Sequence, residues 1–216
     1  MILSTLAYQN RLSKPKMPLQ TPEEYHIHTA TPHVPNSRLP VLIYRSVLPL
    51  PPNEKEGEKD TATSDSASNH PSSEEDERSP ASLAADAARQ AIEANHWYYG
   101  GIFKSYWAHH FHSVTHECYA VVAGRRVEVD LGTGDVIVLP AGVSHCSVTS
   151  EGGYEYLGLY PEGSPKYDNN FCKAGEEETR MKAETARKVP VPEWDPIFGH
   201  KGPLYGIWNT SCTHEG

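Results

Sequence analysis

Two short stretches in the middle of the chain carry histidines at spacings that suit a metal site. The first holds His110 and His112, followed by Glu117, and the second ends in His145. Because side chains alternate along a strand, imidazoles two residues apart point to the same face. Glu117 follows across an expected bend, and His145 follows an apolar run and a Pro-x-Gly turn. Three imidazoles and one carboxylate that meet at one point would bind a divalent transition metal.

The spacing of these residues resembles the paired motifs of the cupin superfamily. The first motif consists of HxH, four residues, E, six residues and G. It is matched by His110, His112, Glu117 and Gly124. The second motif consists of G, five residues, PxG, two residues and H. It is matched by Gly134, Pro140, Gly142 and His145. The resemblance implies that the three histidines and the glutamate bind one metal inside a small β-barrel.

Other segments are similar to the YjlB-like, single-domain cupins. They lie at 33–44, 95–103, 158–163 and 189–204, and the whole resemblance covers about residues 33–50 and 81–208. It implies a mainly β fold, a single cupin barrel (a double-stranded β-helix, or jelly roll) with an N-terminal arm and one preceding helix. Since no internal repeat is present, we expect one barrel rather than two.

Composition divides the chain into segments. Residues 52–79 contain no Val, Ile, Leu, Met, Phe, Trp or Tyr and carry nine acidic against three basic residues. Ordering a residue costs roughly 1–2 kcal/mol, and this segment has no apolar surface to offset that cost. We therefore predict an arm packing on the barrel at 1–50 and a disordered acidic insertion at 51–80. A helix, the barrel and a C-terminal arm should follow at 81–208, and a tail at 209–216.

Local signals predict the elements of the folded part. Ser79 and Pro80 are typical of a helix start, an apolar face runs from Leu83 to Ile92, and the helix should end near Asn95. Short strands are predicted at 103–107, 117–122, 126–131, 135–139, 146–149 and 154–160. Only nine residues, 125–133, separate the two motifs. They leave room for one strand and a turn, either because a hairpin has been lost or because an exon edge is missing from the sequence.

Neighbouring residues compete with the candidate ligands. His109 precedes His110 on a strand, so its ring should point to the opposite face. With Glu117 facing inward, as the cupin register implies, we expect His116 near the barrel mouth, either supporting the ligands or solvated. Cys118 and Cys146 each follow a ligand and should point away from the metal as packing residues.

Charge and composition exclude several classes of function. The formal net charge is −9 and no basic stripe is present, which argues against a nucleic-acid partner. No run reaches the ~20 apolar residues that a membrane helix needs. The first eight residues make a poor signal peptide, and the four cysteines form no CxxC pair. We expect a cytoplasmic protein whose partner is a small-molecule substrate, with a homodimer as an allowed state.

The resemblance and the ligand set together predict a chemistry. An octahedral metal with four protein ligands keeps two open positions, and iron is the first choice, with manganese, nickel and zinc as alternatives. Aromatic residues near the ligands are candidates for a substrate-binding wall: Tyr106, Phe111, Tyr119, Tyr154 and Tyr160. No Gly-rich phosphate loop or dinucleotide fingerprint is present, so redox chemistry would rest on the metal and O2.

The expected function is an oxidoreductase acting on a small aromatic or polyketide-derived metabolite. It would be similar to the cupin oxidoreductases of fungal secondary-metabolite biosynthesis. Two alternatives stay open at this point. One is a non-redox isomerase, decarboxylase or cyclase that uses the metal as a Lewis acid, and the other is a non-catalytic metal-binding cupin. No catalytic residue beyond the ligands is indicated by the sequence.

Overall fold

The computed structural model describes residues 21–48, 80–126 and 129–213. The predicted acidic insertion lies outside these residues except for Pro80, and so do the first twenty residues of the predicted arm. Within the described part of the chain, no helix combines the length and the apolar character needed to cross a bilayer.

One antiparallel sheet dominates the fold. Its strands in chain order are β1 (Glu23–Tyr25), β2 (Val41–Tyr44), β3 (Trp97–Phe103), β4 (Glu117–Arg126), β5 (Leu131–Gly132), β6 (Val136–Leu139) and β7 (Ser150–Pro161). The order across the sheet is β1-β2-β6-β4-β7-β3, and β5 pairs with the far end of β4. The mainly β prediction is confirmed, and the arrangement is consistent with a cupin-like β-sandwich. Among the described residues, the pairings form an open path and do not close into a ring.

Smaller elements flank the sheet. The helices are α1 (Pro80–Glu93), α2 (Glu176–Arg187) and α3 (Pro203–Thr213), and a two-stranded ribbon is formed by β8 (Trp194–Asp195) and β9 (Gly199–His200). The sequence predicted α1 but neither of the other two helices. The tail predicted at 209–216 therefore begins inside α3.

Both faces of the sheet are buried, and β4 shows how. Cys118 and Ala120 belong to one apolar cluster, whereas Tyr119 and Val121 belong to a second cluster on the opposite face. The helices cover the first face through Ala88, Ile92, Leu204 and Trp208. Each fully buried side chain of Leu, Ile or Val size contributes roughly 1.5–3 kcal/mol. The continuous apolar runs of β2 and β6 follow from this burial on two sides.

The helix predicted after the insertion is confirmed as α1. Ala84, Ala88 and Ile92, spaced four residues apart, are buried and form the face that packs on the sheet. Leu83 was assigned to the same face, but it is 49% exposed. The packed stripe is therefore narrower than the apolar pattern indicated.

The predictions of strands at 103–107, 126–131 and 146–149 were wrong. The strand expected at 103–107 is β3, Trp97–Phe103, because Gly100 and Gly101 form a bulge inside a strand rather than a break. A Cβ on Gly100 would lie 2.4 Å from the ring of Tyr160, so glycine is needed there for close packing. Residues 146–149 form no strand and are held instead by Ser147, whose N–H donates to the Tyr106 carbonyl at 2.6 Å. The spacer 125–133 contains the end of β4 and β5, a short hairpin instead of one strand.

A buried carboxylate ties the C-terminal segment to the sheet. Asp195 is fully buried and accepts hydrogen bonds from the Tyr44 hydroxyl at 2.6 Å and from the N–H groups of Ile197, Phe198 and Leu204 at 2.8–2.9 Å. Leu204 lies in the first turn of α3, where N–H groups have no partner within the helix. Asp195 thus replaces a local helix cap and joins β2, the ribbon and α3 at one point.

Candidate metal centre

Backbone pairing brings the two histidine motifs together. The N–H of His110 donates to the carbonyl of His145 at 3.1 Å, and the N–H of His145 donates to the carbonyl of His110 at 2.9 Å. The carbonyl of His112 accepts the N–H of Gly142 at 2.8 Å, which holds the Pro-x-Gly turn beside the first motif. Gly142 has φ +91°, and a Cβ there would meet the Asn36 carbonyl at 2.8 Å. The turn therefore requires glycine at this position.

The four predicted ligands form one buried cluster. His110, His112, Glu117 and His145 each offer one ligand atom, and these atoms all lie within 4.8 Å of one another. Glu117, the first residue of β4, lies at the centre. Its Oε2 is 2.9 Å from Nε2 of His112 and 3.2 Å from Nε2 of His145. The side chains of Glu117 and His112 are about 95% buried.

All three imidazoles are held in the same tautomer. Nδ1 of His110 lies 3.0 Å from the carbonyl of Ala108. Nδ1 of His112 lies 2.5 Å from the carbonyl of Asp168, and Nδ1 of His145 lies 3.1 Å from that of Val143. A carbonyl only accepts, so each Nδ1 carries a hydrogen and donates it. The lone pairs available for a metal are therefore on the Nε2 atoms, and the backbone fixes the rings in that orientation.

The donor set fits a cation. Nε2 of His145 is buried and makes no hydrogen bond, although Glu117 lies only 3.2 Å away, because the geometry is not that of a hydrogen bond. An unpartnered buried nitrogen is costly in the folded state. A cation bound between Glu117 and the three Nε2 atoms would satisfy every one of these groups, and three nitrogens with one carboxylate oxygen suit a divalent transition metal.

The charges at the site are set by burial and by the central carboxylate. Burial and the neighbouring His145 lower the pKa of His110 to about 4, so its imidazole is neutral at neutral pH. Burial opposes ionisation of Glu117, but the nearby imidazoles of His112 and His145 outweigh burial and hold its pKa well below the ordinary value. Burial also opposes a charge on His112, but the hydrogen bond and negative charge of Glu117, together with the contact to Asp168, outweigh burial and raise the pKa of His112. A proton on His112 therefore competes with a metal, as is usual for histidine ligands.

Residues that no motif indicated support the ligands. The Tyr160 hydroxyl donates to the other oxygen of Glu117 at 2.6 Å, and its ring stacks on Tyr167 at 4.8 Å. The Asp168 carboxylate accepts hydrogen bonds from the N–H and hydroxyl of Ser113 at 2.7 and 2.6 Å, which positions the Asp168 carbonyl against His112. The segment with Tyr167 and Asp168 lies more than fifty residues from His112 in sequence, so no local pattern could have placed it there.

The predicted aromatic wall is partly present. A cavity of about 60 Å³ beside the ligands is lined by Tyr106, Tyr119 and Tyr160, as predicted. Phe111 and Tyr154 do not line it. Phe111 lies between two ligands, and strand alternation turns its side chain to the other side, while Tyr154 packs in the core. The lining residues that the sequence reasoning missed are Phe103, Tyr156, Tyr167 and Asn169.

Three of the four residues next to the ligands lie as predicted, and the prediction for His116 was wrong. His109 is exposed, and its Nε2 lies 3.3 Å from the sulfur of Cys146; Cys118 is buried in the core. These three point away from the ligand cluster, as expected. His116 was expected at the barrel mouth, but it is 1% exposed and its ring packs against Trp208 of α3 at 4.7 Å. Alternation with Glu117 was right, and the opposite face is covered by a helix that the sequence did not indicate.

His116 is a neutral histidine with both nitrogens paired. Its Nδ1 accepts the N–H of Ala141 at 3.0 Å, and its Nε2 lies 3.2 Å from the carbonyl of Pro190, to which it donates. Full burial lowers the pKa of His116 from 6.5 to about 4. Between these values the unfolded chain binds a proton that the folded chain does not, so the contribution to stability is complete above pH 6.5 and is lost as the pH falls.

We expect the stability advantage of the native protein over His116→Gln to shrink by about 3 kcal/mol between pH 7 and pH 4. This follows from a difference of roughly 2.5 pKa units at 1.36 kcal/mol each. Urea unfolding of both proteins at several pH values measures it, and groups common to both proteins cancel in the difference. A difference that stays constant with pH would show that His116 titrates normally in the fold.

Comparison with known proteins gives one relative. No family model matches the chain. It is 35% identical over 111 residues to the "Uncharacterized protein YjlB" of Bacillus subtilis (strain 168), an alignment that covers 46% of this chain and 64% of that protein. The match thus spans just under two thirds of the relative's length. It agrees with the resemblance noted in the sequence, and the relative's printed name gives no activity.

Proposed function

We propose that this chain is a metal-dependent cupin oxidoreductase that acts on a small aromatic or polyketide-derived metabolite in the cytoplasm. The observation that carries the proposal is the orientation of three imidazoles, each locked through Nδ1, with their Nε2 atoms turned toward the Glu117 carboxylate. The similarity to YjlB and the two cupin motifs support the cupin part. The oxidoreductase part rests on the donor set, which contains the two-histidine, one-carboxylate group of non-haem iron oxygenases plus one more histidine.

The residues of the chain have separate roles in this proposal. His110, His112, Glu117 and His145 would hold the metal, with iron preferred over manganese, nickel or zinc. A bound iron would supply redox chemistry with O2 and two positions that the protein leaves free for small ligands. Tyr160 keeps the Glu117 carboxylate in place through its hydroxyl hydrogen bond. Phe103, Tyr119 and Tyr156 would form an aromatic wall beside the metal.

One contact favours a second candidate, a non-redox isomerase, decarboxylase or cyclase. Burial and the negative charge of Glu117 raise the pKa of Tyr160, so its phenol stays protonated beside the ligands. This neutral hydroxyl could turn from Glu117 and donate a hydrogen bond to a substrate oxygen that a metal acting as a Lewis acid would polarise. In this case the reaction would need neither O2 nor a redox-active metal.

Metal content and oxygen dependence test the proposal. The full chain is purified, its metals are measured, and samples loaded with Fe²⁺ or Zn²⁺ are assayed with phenols and aromatic aldehydes in air and under argon. We expect O2 uptake and product only with iron in air, and a paramagnetic signal when nitric oxide is added to the iron protein. Turnover that is equal with zinc and without O2 would replace the proposal by the Lewis-acid candidate. Failure to bind any metal would leave a non-catalytic protein.

A further inference from the structure

The space directly beside the ligands is small. The cavity lined by three of the four candidate ligands and by the tyrosines holds about 60 Å³. A water molecule occupies about 30 Å³ in the liquid, so this cavity has room for one or two molecules of that size. An aromatic metabolite needs additional room next to the metal centre.

A larger pocket adjoins the metal centre, and one side chain, that of Tyr119, lines both spaces. It has a volume of about 370 Å³ and lies between the β1 end, the β2–β6 face of the sheet and the segment 143–148. His145 and Tyr119 line it, and Tyr119 also lines the small cavity beside the ligands. The Tyr119 ring lies 5.5 Å from the ring of His145, edge to face, so the side chain that the two spaces share contacts a candidate ligand.

The chemistry of this larger pocket is apolar. Its floor is the second apolar cluster of the sheet, with Val41, Ile137 and Leu139 among the lining residues. No Asp, Glu, Lys or Arg is among the described residues that line it. Its polar groups are two histidines, a serine, a cysteine and two tyrosines besides His145. A charged ligand would lose its hydration without gaining an ion pair there.

Apolar side chains also surround the mouth of the pocket. Tyr25, Ile27 and Val148 are 37, 42 and 45% exposed, and all three line the pocket. Large apolar side chains left in water around a concave apolar site are typical of a ligand-binding surface. The volume also lies within the ~300–1,000 Å³ of small-molecule sites.

We propose that this pocket binds a neutral, hydrophobic small molecule whose bulk rests on the β2–β6 face, directly behind the His145 ligand ring. The inference extends the proposed function, since it gives the substrate of the metal centre an uncharged, apolar body rather than a sugar or a phosphate. Because His145 lines this pocket and is also one of the four candidate ligands, occupation of the pocket changes the surroundings of the metal.

Two dyes with one skeleton test the class of ligand. N-phenyl-1-naphthylamine is neutral, and 8-anilinonaphthalene-1-sulfonate adds a negative charge to nearly the same rings. We expect the neutral dye to bind the full chain at one site, at least about tenfold tighter than the sulfonate. In Co²⁺-loaded protein the neutral dye should also shift the visible absorption bands of the metal. A tighter sulfonate, or binding of neither dye, would overturn the proposal.

Variants at exposed positions locate the site. Val148→Asp and Ile27→Asp place a charge at the mouth and should weaken binding of the neutral dye by about tenfold or more. Leu83→Asp on α1, where the native side chain is 49% exposed, is the matched control and should bind normally. Equal binding by all three variants would mean that the dye lies elsewhere and would overturn the proposal. Metal content is measured on the same samples. Loss of dye binding with normal metal content would contradict the pocket alone, whereas loss of metal with normal dye binding would contradict the proposed function alone.

Discussion

Glu117→Ala will lose the metal, whereas His116→Gln, one residue away, will keep it. Glu117 contacts the Nε2 atoms of His112 and His145 at 2.9 and 3.2 Å and supplies the negative charge at the centre of the cluster. His116 lies on the other face of β4, against Trp208. Loss of a residue that merely hydrogen-bonds to a ligand typically costs 10–100-fold in metal affinity, so we expect a larger loss for Glu117→Ala.

The same measurement extends to the three histidines. Titration of metal-free protein with Co²⁺ or Zn²⁺, together with elemental analysis after gel filtration, should show losses for His110→Ala, His112→Ala and His145→Ala. His109→Ala is the matched control, since His109 is exposed and points away from the cluster. If His116→Gln lost the metal and Glu117→Ala retained it, the register of β4 would be wrong by one residue.

Asp195→Ala will produce the largest loss of stability among variants outside the metal centre. The change leaves the Tyr44 hydroxyl and three N–H groups without their buried acceptor. Each unsatisfied buried group costs about 1–3 kcal/mol, and relaxation toward water reduces the total, so we expect a loss of about 3–5 kcal/mol. In a chain of this size that lowers the melting temperature by roughly 10 °C.

Tyr44→Phe is the graded control for that variant. It removes one of the four donors and keeps the ring in the core, so its expected cost is about 1 kcal/mol. Thermal and urea unfolding of the two variants beside the native protein give both numbers. A melting temperature for Asp195→Ala close to that of the native protein would show that the C-terminal segment is held by other contacts.

Local patterns in the sequence were sufficient for the features that depend on neighbours in the chain. Strand alternation predicted the shared orientation of His110 and His112, the resemblance to the cupin motif added Glu117, and the spacing of alanine and isoleucine predicted α1. The helix α3 could not be predicted in this way, because its sequence, PLYGIWNTSCT, is poor in strong helix formers. It is stabilised by the burial of Leu204 and Trp208 against the sheet. The wrong surroundings predicted for His116 follow from missing this helix.

The parts of the metal centre that the sequence did not indicate depend on contacts between distant segments. Asp168 reaches His112 through a backbone carbonyl, and a carbonyl carries no residue identity that a motif could show. The strand predicted at 103–107 begins after Gly100, although Gly100 lies inside β3 and packs closely against Tyr160. A glycine has a low intrinsic preference for a strand, but contacts with residues distant in sequence determine whether the strand continues through it.

The metal centre and the contact with the C-terminal helix α3 are adjacent in sequence at the start of β4. His116 and Glu117 are neighbours in the chain and face opposite sides of the sheet. A slip of β4 by one residue would turn each of the two side chains to the opposite face. In one direction the slip would bury the carboxylate against Trp208, and in the other direction it would place the imidazole of His116 among the three other imidazoles. Either slip would disrupt the contacts on both faces of the sheet. Metal binding on one face and the packing of α3 on the other therefore both favour the correct register of β4.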